Sequence, residues 1–446
     1  MSHDVEGDGG KSPRDLTSIG ETFDRFLRDK GKGQQGESGN YRRNAAAELE
    51  RFEKWCSGQA PEDREVDSDW AGIYVSNVGS RDRPVAVEDI AARYTQQGHN
   101  IFRTYARHLR AQAYRASTAQ TYYNYVSSWC GWCVQEGRVP LSQHLAAMEA
   151  ARAPLQSDVD TGERATSSTT EQYWTPEQRD AIVQYADRCV WDTLDEQEAI
   201  EDPQSREYEQ ATHRLLKCLR DRALVVLIAY SGVRGAEILR DTDDERREGA
   251  RWEDLSLKDQ SLRVLRKRQV IDTVTLPKPV IDPLRRYCDR LEPPSEGWPI
   301  FPTMHYPTIA RLVRETLRER GHDNDEIAAI REEYAYDFEL TLDRDIPLPS
   351  MSVRSGRRLI EDISTTDDAS IPDLADDEAL ELHGARRGMG EVLVRTQGYA
   401  AAARFLDNSE EMVRERYSHI DPDDQAAAVT ASLVETDDTV QLSDDE

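Results

Sequence analysis

The chain has 446 residues, and its 57 basic side chains face 85 acidic ones, so the formal net charge is −28. The mean hydropathy is −0.76 and the longest clean apolar run is the eight residues 223–230, so the sequence predicts no membrane-spanning helix, which needs roughly 20 apolar residues. Residues 1–14 lack the apolar stretch of a secretory signal, and six scattered cysteines favour a reducing compartment over a disulfide framework.

The charged residues are unevenly chosen, with eight lysines against 49 arginines. A surface with few lysines and many carboxylates stays hydrated where salt screens ordinary charges. We therefore interpret the chain as a cytoplasmic protein of a halophile; the alternative is an acidic protein with no salt preference. Taken alone, a net charge of −28 argues against a nucleic-acid partner, because phosphate contacts need Lys and Arg.

The first part of the chain predicts a small all-helical domain. Residues 1–15 are rich in Gly and Asp and are predicted to form a disordered tail. Within residues 16–150, apolar side chains recur at helical spacing. The clearest stripes are Tyr41, Ala45, Leu49, Phe52 and Cys56, then Ile101, Tyr105 and Leu109, then Tyr122, Val126, Trp129 and Cys133. A linker without periodicity follows at 151–172.

The second predicted domain spans residues 173–434. It opens with Thr175 as an N-cap, Pro176 at the first helical position and Gln178 closing a capping box. Helices run to about Leu239. Three short strands follow, at Leu255–Leu257, Ser261–Leu265 and Val270–Leu276, the last two joined by a turn at 266–269. The predicted fold class is therefore mainly α with a small antiparallel β-sheet.

Two acidic segments belong to this second part. Residues 323–379 combine many acids with prolines and weak periodicity, which predicts an inserted, partly ordered surface segment. Residues 435–446 form an acidic tail.

One segment of the first domain excludes acidic residues. Residues 101–135 contain no Asp or Glu, although the composition predicts about seven in a window of that length. Aromatic side chains alternate there with Arg103, Arg107, Arg110 and Arg115. Basic and aromatic residues kept clear of acids are typical of a nucleic-acid face, so these arginines are predicted to bind DNA. The alternative is a buried helix hairpin that excludes charge.

Five short motifs follow one another in the second domain. They are Ser231-Gly232-Val233-Arg234-Gly235-Ala236-Glu237, the hairpin Arg266-Lys267-Arg268, His383-Gly384-Ala385-Arg386, Leu406-Asp407-Asn408, and Tyr417. In this order they resemble the motifs of the tyrosine recombinase (phage integrase) family. The resemblance covers most of the chain. It implies a helical SAM-like core-binding domain at 16–150 and a tyrosine recombinase catalytic domain at 173–434.

The resemblance also implies a function, which is site-specific DNA recombination or integration through a 3′-phosphotyrosine intermediate. Its site residues correspond to Arg234, Lys267, His383, Arg386, Asn408 and Tyr417. The two arginines would hold the phosphate, the lysine would protonate the leaving 5′ oxygen, and the tyrosine would attack. The histidine would take the tyrosine proton or steady the phosphate. The partners implied are double-stranded DNA and, on paired sites, a homo-tetramer formed from a monomer or weak oligomer; no cofactor or metal is needed.

Departures from the family keep other functions open. An amide, Asn408, stands where the family has an imidazole, and Lys267 lacks the usual neighbouring glycine. A catalytically silent DNA-binding regulator or architectural protein on the same fold is therefore the alternative, and the first domain disfavours a type IB topoisomerase-like enzyme. Each residue also has a plainer interpretation: Arg234 could pair with Glu237, and Asn408 could cap a helix.

One cysteine motif is given no metal or redox role. Cys130 and Cys133 form a C-x-x-C inside an amphipathic helix, with no second pair at zinc spacing. His305, His322 and His419 form no recognisable ligand set.

Overall fold

The computed structural model describes residues 18–31, 39–57, 101–112, 114, 116–136, 172–267, 270–375, 378–418 and 420. The predicted tails 1–15 and 435–446, residues 151–171 of the predicted linker and Arg115 lie outside the described residues. The chain divides into two compact units, which are residues 1–168 with 243–246, and residues 169–242 with 247–446. The predicted class, mainly α-helical with a small antiparallel sheet, is confirmed.

The described part of the first unit is mainly helical. Its helices are α1 (Ile19–Lys30), α2 (Asn40–Ser57), α3 (Ile101–Ala111) and α4 (Ala116–Gln135). The three stripes predicted from the sequence form one core, because Leu49, Leu109 and Val126 are all fully or almost fully buried in it. Trp129 closes this core and donates from Nε1 to Thr22 Oγ1 at 3.0 Å. Cys130 and Cys133 lie in the same core.

The second unit contains the remaining helices and the sheet. The helices are α5 (Pro176–Glu198), α6 (Arg206–Ser231), α7 (Gly235–Ile238), α8 (Lys278–Leu291), α9 (Tyr306–Glu319), α10 (Asn324–Glu332), α11 (Asp337–Asp343), α12 (Val353–Ser364), α13 (Leu382–Gln397), α14 (Tyr399–Leu406) and α15 (Glu410–Arg416). Thr175 caps α5 in the predicted box, with Gln178 N and Thr175 Oγ1 3.2 Å apart. The apolar run 223–230 makes α6 the central helix, and α5, α8 and α13 pack against it.

The sheet consists of β1 (Leu255–Ser256), β2 (Ser261–Leu265) and β3 (Ile271–Thr275), in that order and antiparallel. Leu262 pairs with Val274, and both are buried in the core of the unit. The hairpin between β2 and β3 begins at Arg266, whose backbone N–H donates to Val270 O at 2.9 Å. The sheet therefore anchors a turn whose first residues are Arg266 and Lys267.

The segment 323–379 differs from its prediction as a partly ordered surface insertion. It forms α10, α11 and α12, and Ile327, Phe338 and Ile360 lie in the main core of the second unit. The apolar residues are few and widely spaced, so their helical period is obscured by the acids and prolines between them.

No helix in the part of the chain that the structure describes is long and apolar enough to cross a membrane.

Candidate active site

The turn that carries Arg234 is fixed by its neighbours. Helix α6 ends at Ser231, and Gly232 follows with a φ of +65°, where a Cβ would lie 3.0 Å from side-chain atoms of Phe405 and Leu406. Glycine is therefore required for both the left-handed backbone and the close approach. Arg234 then precedes α7, and its backbone N–H donates to Glu237 Oε2 at 2.8 Å.

Arg234 makes the contact expected from spacing and a second one as well. Its Nη1 donates to Glu237 Oε1 at 2.8 Å, so the simple ion pair does form. Its Nη2 donates to Asn408 Oδ1 at 3.3 Å, although 174 residues separate the two along the chain. The ion pair thus holds one side of the guanidinium while the other side reaches a distant motif.

Arg386 meets the same amide from another helix. It lies one turn into α13, is 4% exposed, and donates to the backbone carbonyl oxygens of Gly232 and Leu406 and, at 3.4 Å, to Asn408 Oδ1. Burial, followed by the charge of Arg234, lowers the pKa of Arg386 to about 10. The two positive charges repel each other, and an anion bound between them would relieve this repulsion. The pair is therefore an environment that favours an anion.

Asn408 is a shared acceptor and not a helix cap. Helix α14 ends at Leu406, and Asp407 adopts a left-handed conformation with a φ of +48°. The N-cap of α15 is Ser409, whose side chain accepts from Met412 N at 3.2 Å. The capping interpretation of Asn408 is therefore wrong, because the helix begins one residue later than that interpretation requires.

Tyr417 lies at the end of α15 and is 1% exposed. Its hydroxyl donates to the backbone carbonyl oxygen of Arg387 at 3.0 Å and occupies space beside Gly390, where a Cβ would lie 2.1 Å from the hydroxyl oxygen. Burial, with Tyr173 next in effect, raises the pKa of Tyr417 to about 12. A cavity of about 310 Å³ is lined by Asn408, Met412, Val413, Glu415, Arg416 and Tyr417.

His383 lies one turn before Arg386 in α13, and part of its ring is exposed. Burial of the remainder, followed by the charges of Arg387 and Arg386, lowers the pKa of His383 to about 4. The imidazole is therefore neutral near neutral pH.

Lys267 is exposed on the hairpin turn, whereas Arg266 beside it is 6% exposed. Arg266 Nη1 lies 3.4 Å from both carboxylate oxygens of Glu237. Its Nε lies 3.3 Å from Asp272 Oδ2 and 3.7 Å from Asp407 Oδ2. The structure thus brings Arg234 and Arg386 into direct contact with Asn408. Lys267 is next in the chain to Arg266, which shares Glu237 with Arg234.

Three of the four predicted DNA-binding arginines lie on one side of α3. Arg103, Arg107 and Arg110 are exposed, while Tyr105 and Leu109 are buried on the opposite face. Most of the aromatics predicted to share the basic face are buried instead, although Tyr114, Tyr122 and Tyr125 are only partly buried. Tyr105, Tyr123, Trp129 and Trp132 belong to the core of the first unit, because a small helical domain needs their apolar area for itself.

Sequence reasoning missed a second basic helix beside the site. Helix α12 exposes Arg354, Arg357 and Arg358. A Cβ at Gly356, on the opposite side of α12, would contact Leu239 and Leu382, which lie in the segments that carry Arg234 and His383. The signal was present as three arginines at one-turn spacing with no acid within 351–360, but the acidity of the whole segment concealed it.

Neither a protein-family model nor a curated protein matches this chain. The solved structures that are similar to it at low identity include two recombination proteins. XerA recombinase is 12% identical over 75% of this chain and 98% of that chain, with a TM-score of 0.33. An integrase from mycobacterium phage Brujita is 14% identical over 91% of this chain and 96% of that chain, with a TM-score of 0.27. At these TM-scores the likeness carries no weight for function, which rests on the geometry of the chain's own residues.

Proposed function

We propose that the protein is a site-specific DNA recombinase or integrase, with residues 16–150 as a SAM-like core-binding domain and 173–434 as a tyrosine recombinase catalytic domain. The observation that carries the proposal is the joint contact of Arg234 and Arg386 with Asn408 Oδ1. Two guanidinium groups held together in a chain of net charge −28 form a local phosphate site. The cavity beside Asn408 is also lined by Tyr417, the proposed nucleophile.

In the proposed reaction the Tyr417 oxygen attacks the scissile phosphorus, and the bond from phosphorus to the 5′ oxygen breaks. His383 takes the tyrosine proton, and Lys267 gives a proton to the departing 5′ oxygen. Arg234 and Arg386 hold the non-bridging oxygens as their charge grows. Both proton transfers reverse when a 5′ hydroxyl attacks the phosphotyrosine ester, so the step needs no cofactor. Exchange between two DNA sites then calls for four copies of the chain.

Double-stranded DNA is the proposed partner of two basic helices. In the first unit these contacts are assigned to Arg103, Arg107 and Arg110 of α3, and to Arg115, which lies outside the described residues. In the second unit they are assigned to Arg354, Arg357 and Arg358 of α12. Exposed arginines that contact phosphate oxygens fix the position and orientation of a protein on the duplex.

The proposal is tested with a pool of nicked DNA duplexes of random sequence, incubated with the full chain at high salt. We expect covalent protein–DNA adducts on a denaturing gel, with a nucleotide attached to Tyr417 in the digested protein. The recovered sequences define the selected duplex. Retention of DNA without any adduct would contradict strand transfer, and failure to retain DNA at all would contradict DNA binding as well.

A second candidate is a catalytically silent DNA-binding protein on the same fold. The observation that favours it is the position of Tyr417, which is 1% exposed and donates its hydroxyl proton to a backbone carbonyl. A nucleophile in that position must move before it can attack. Retention of DNA without an adduct in the same experiment is the outcome that this candidate predicts.

A further inference from the structure

Arg266 is a buried guanidinium in an unexpected place, because it belongs to a hairpin turn and is nevertheless 6% exposed. Its contacts come from three separate segments. Glu237 lies in α7, Asp272 lies in β3 of the same hairpin, and Asp407 precedes Asn408. A guanidinium has five N–H donors in a fixed plane and can hold several carboxylates in one geometry.

Two of these partners lead directly to the proposed phosphate site. Glu237, whose side chain is 1% exposed, binds Arg266 and Arg234 at the same time. Asp407 stands at the left-handed position that sets the direction of Asn408. Arg266 therefore connects the turn before α7 with the turn between α14 and α15.

The backbone of the hairpin is held from a second direction by Arg247. Its Nη1 donates to Ala236 O at 2.9 Å and to Leu265 O at 2.7 Å, and its Nη2 donates to Arg266 O at 3.0 Å. The hairpin is thereby fixed to α7 up to Arg266, and Lys267 is the next residue outward.

We infer that Arg266 is a positioning residue, paired with Asp407, that fixes the hairpin carrying Lys267 relative to the turns carrying Arg234 and Asn408. The inference rests on the proposed function. It gives a shared role to the arginine beside Lys267 and the aspartate beside Asn408, since Arg266 Nε and Asp407 Oδ2 lie 3.7 Å apart. A displacement of about 1 Å can slow a reaction up to about 10²-fold. Because Lys267 is the proposed general acid, loss of the Arg266–Asp407 pair should slow protonation of the leaving oxygen.

The test compares Asp407→Asn and Arg266→Gln with the matched control Asp272→Asn, using the full chain and the selected duplex. Asn has nearly the same shape as Asp and tolerates the left-handed backbone, so Asp407→Asn removes charge and leaves the turn intact. Asp272 is the control because it binds the same Arg266 Nε but lies on the hairpin itself and is half exposed. Each variant is assayed on the duplex with its normal bridging 5′ oxygen and on one with sulfur there, which leaves without a proton.

We expect Asp407→Asn and Arg266→Gln to slow adduct formation on the oxygen duplex at least about tenfold, a part of the 10²–10⁴ that a placed general acid supplies. On the sulfur duplex both should cleave at the wild-type rate, and Asp272→Asn should match wild type on both. Equal slowing on both duplexes, or the same loss from both aspartate variants, overturns the inference and leaves the proposed function standing. A wild-type chain that forms no adduct overturns both.

Discussion

The hydroxyl of Tyr417 donates a hydrogen bond to the backbone carbonyl oxygen of Arg387 at 3.0 Å, so the proposed nucleophile is tied to the helix that carries Arg386. Its ring is part of a small core formed by α13, α14 and α15. With a pKa raised to about 12, the hydroxyl is protonated near neutral pH and needs a base at the moment of attack.

Tyr417→Phe should abolish the covalent adduct and leave DNA affinity almost unchanged, because the substitution removes one oxygen and keeps the ring. Loss of the bond to Arg387 should cost only about 1 kcal/mol of stability. Adduct formation is measured on denaturing gels. Tyr399→Phe is the matched control, since Tyr399 contacts the backbone oxygen of Tyr417 from α14. If adducts persist in the Tyr417 variant and disappear in the Tyr399 variant, Tyr399 and not Tyr417 is the nucleophile.

Gly390→Ala should displace Tyr417 from its buried position, because the added Cβ would lie 2.1 Å from the hydroxyl oxygen. We expect a loss of about 1–3 kcal/mol in stability, as for overpacking elsewhere, together with faster nitration of Tyr417. Gly131→Ala is the matched helical control, because nothing lies within 4 Å of its added Cβ. That change should be neutral or stabilising by up to about 1 kcal/mol. Unchanged stability and nitration in the Gly390 variant would contradict the described position of Tyr417.

Arg234→Ala and Arg386→Ala should each slow adduct formation by at least about 10²-fold, the usual loss for one preorganised donor. Arg395→Ala is the control, because Arg395 lies in the same helix as Arg386 but binds Glu391 at the surface. Rates are measured on the selected duplex. Site variants that stay within a few fold of wild type would favour the catalytically silent protein.

His383 should make the fold less stable in acid. Its pKa is lowered from 6.5 to about 4 in the folded chain, so below the unfolded value the unfolded state binds more protons. The contribution of neutral His383 to the free energy of unfolding is therefore fully present above about pH 6.5, and it is lost as the pH falls towards 4. His383→Gln should lose less stability than wild type between about pH 7 and about pH 5, by denaturant midpoint. His305→Gln, at an exposed position, serves as control, and identical pH profiles for His383→Gln and wild type would contradict the expectation.

Local signals in the sequence were sufficient for much of the fold. The capping box at Thr175 and the strand at Ser261–Leu265 depend on neighbouring residues alone, and both predictions are confirmed. The position of the Tyr417 hydroxyl could not be predicted, because it depends on a space beside Gly390 that only the assembled helices create. The role of Asn408 as a shared acceptor could not be predicted for the same reason, since its two partners lie 174 and 22 residues away along the chain.

Salt dependence tests the acidic composition and the DNA face together. Ordinary DNA-binding proteins lose about 10³–10⁵ in affinity between 50 and 200 mM salt when they neutralise 6–10 phosphates. If the chain comes from a halophile, binding must depend on directed contacts, so we expect affinity and cleavage to be greatest in molar salt with a shallow salt slope. Tyr105 and Trp129 are buried and cannot stack on DNA bases. In the first unit the directed contacts are therefore assigned to the arginines of α3.

The double variant Arg107→Glu and Arg110→Glu should abolish DNA binding even at high salt, because the loss is local and directed contacts are not recovered by screening. Arg25→Glu with Arg28→Glu is the matched control, since it makes the same change of net charge at exposed positions of α1 in the same unit. Binding is measured as fluorescence anisotropy of the selected duplex across a salt series. Affinity that is greatest at low salt would contradict the halophile interpretation, and an equal loss from both double variants would show that net charge, not the α3 face, binds the DNA.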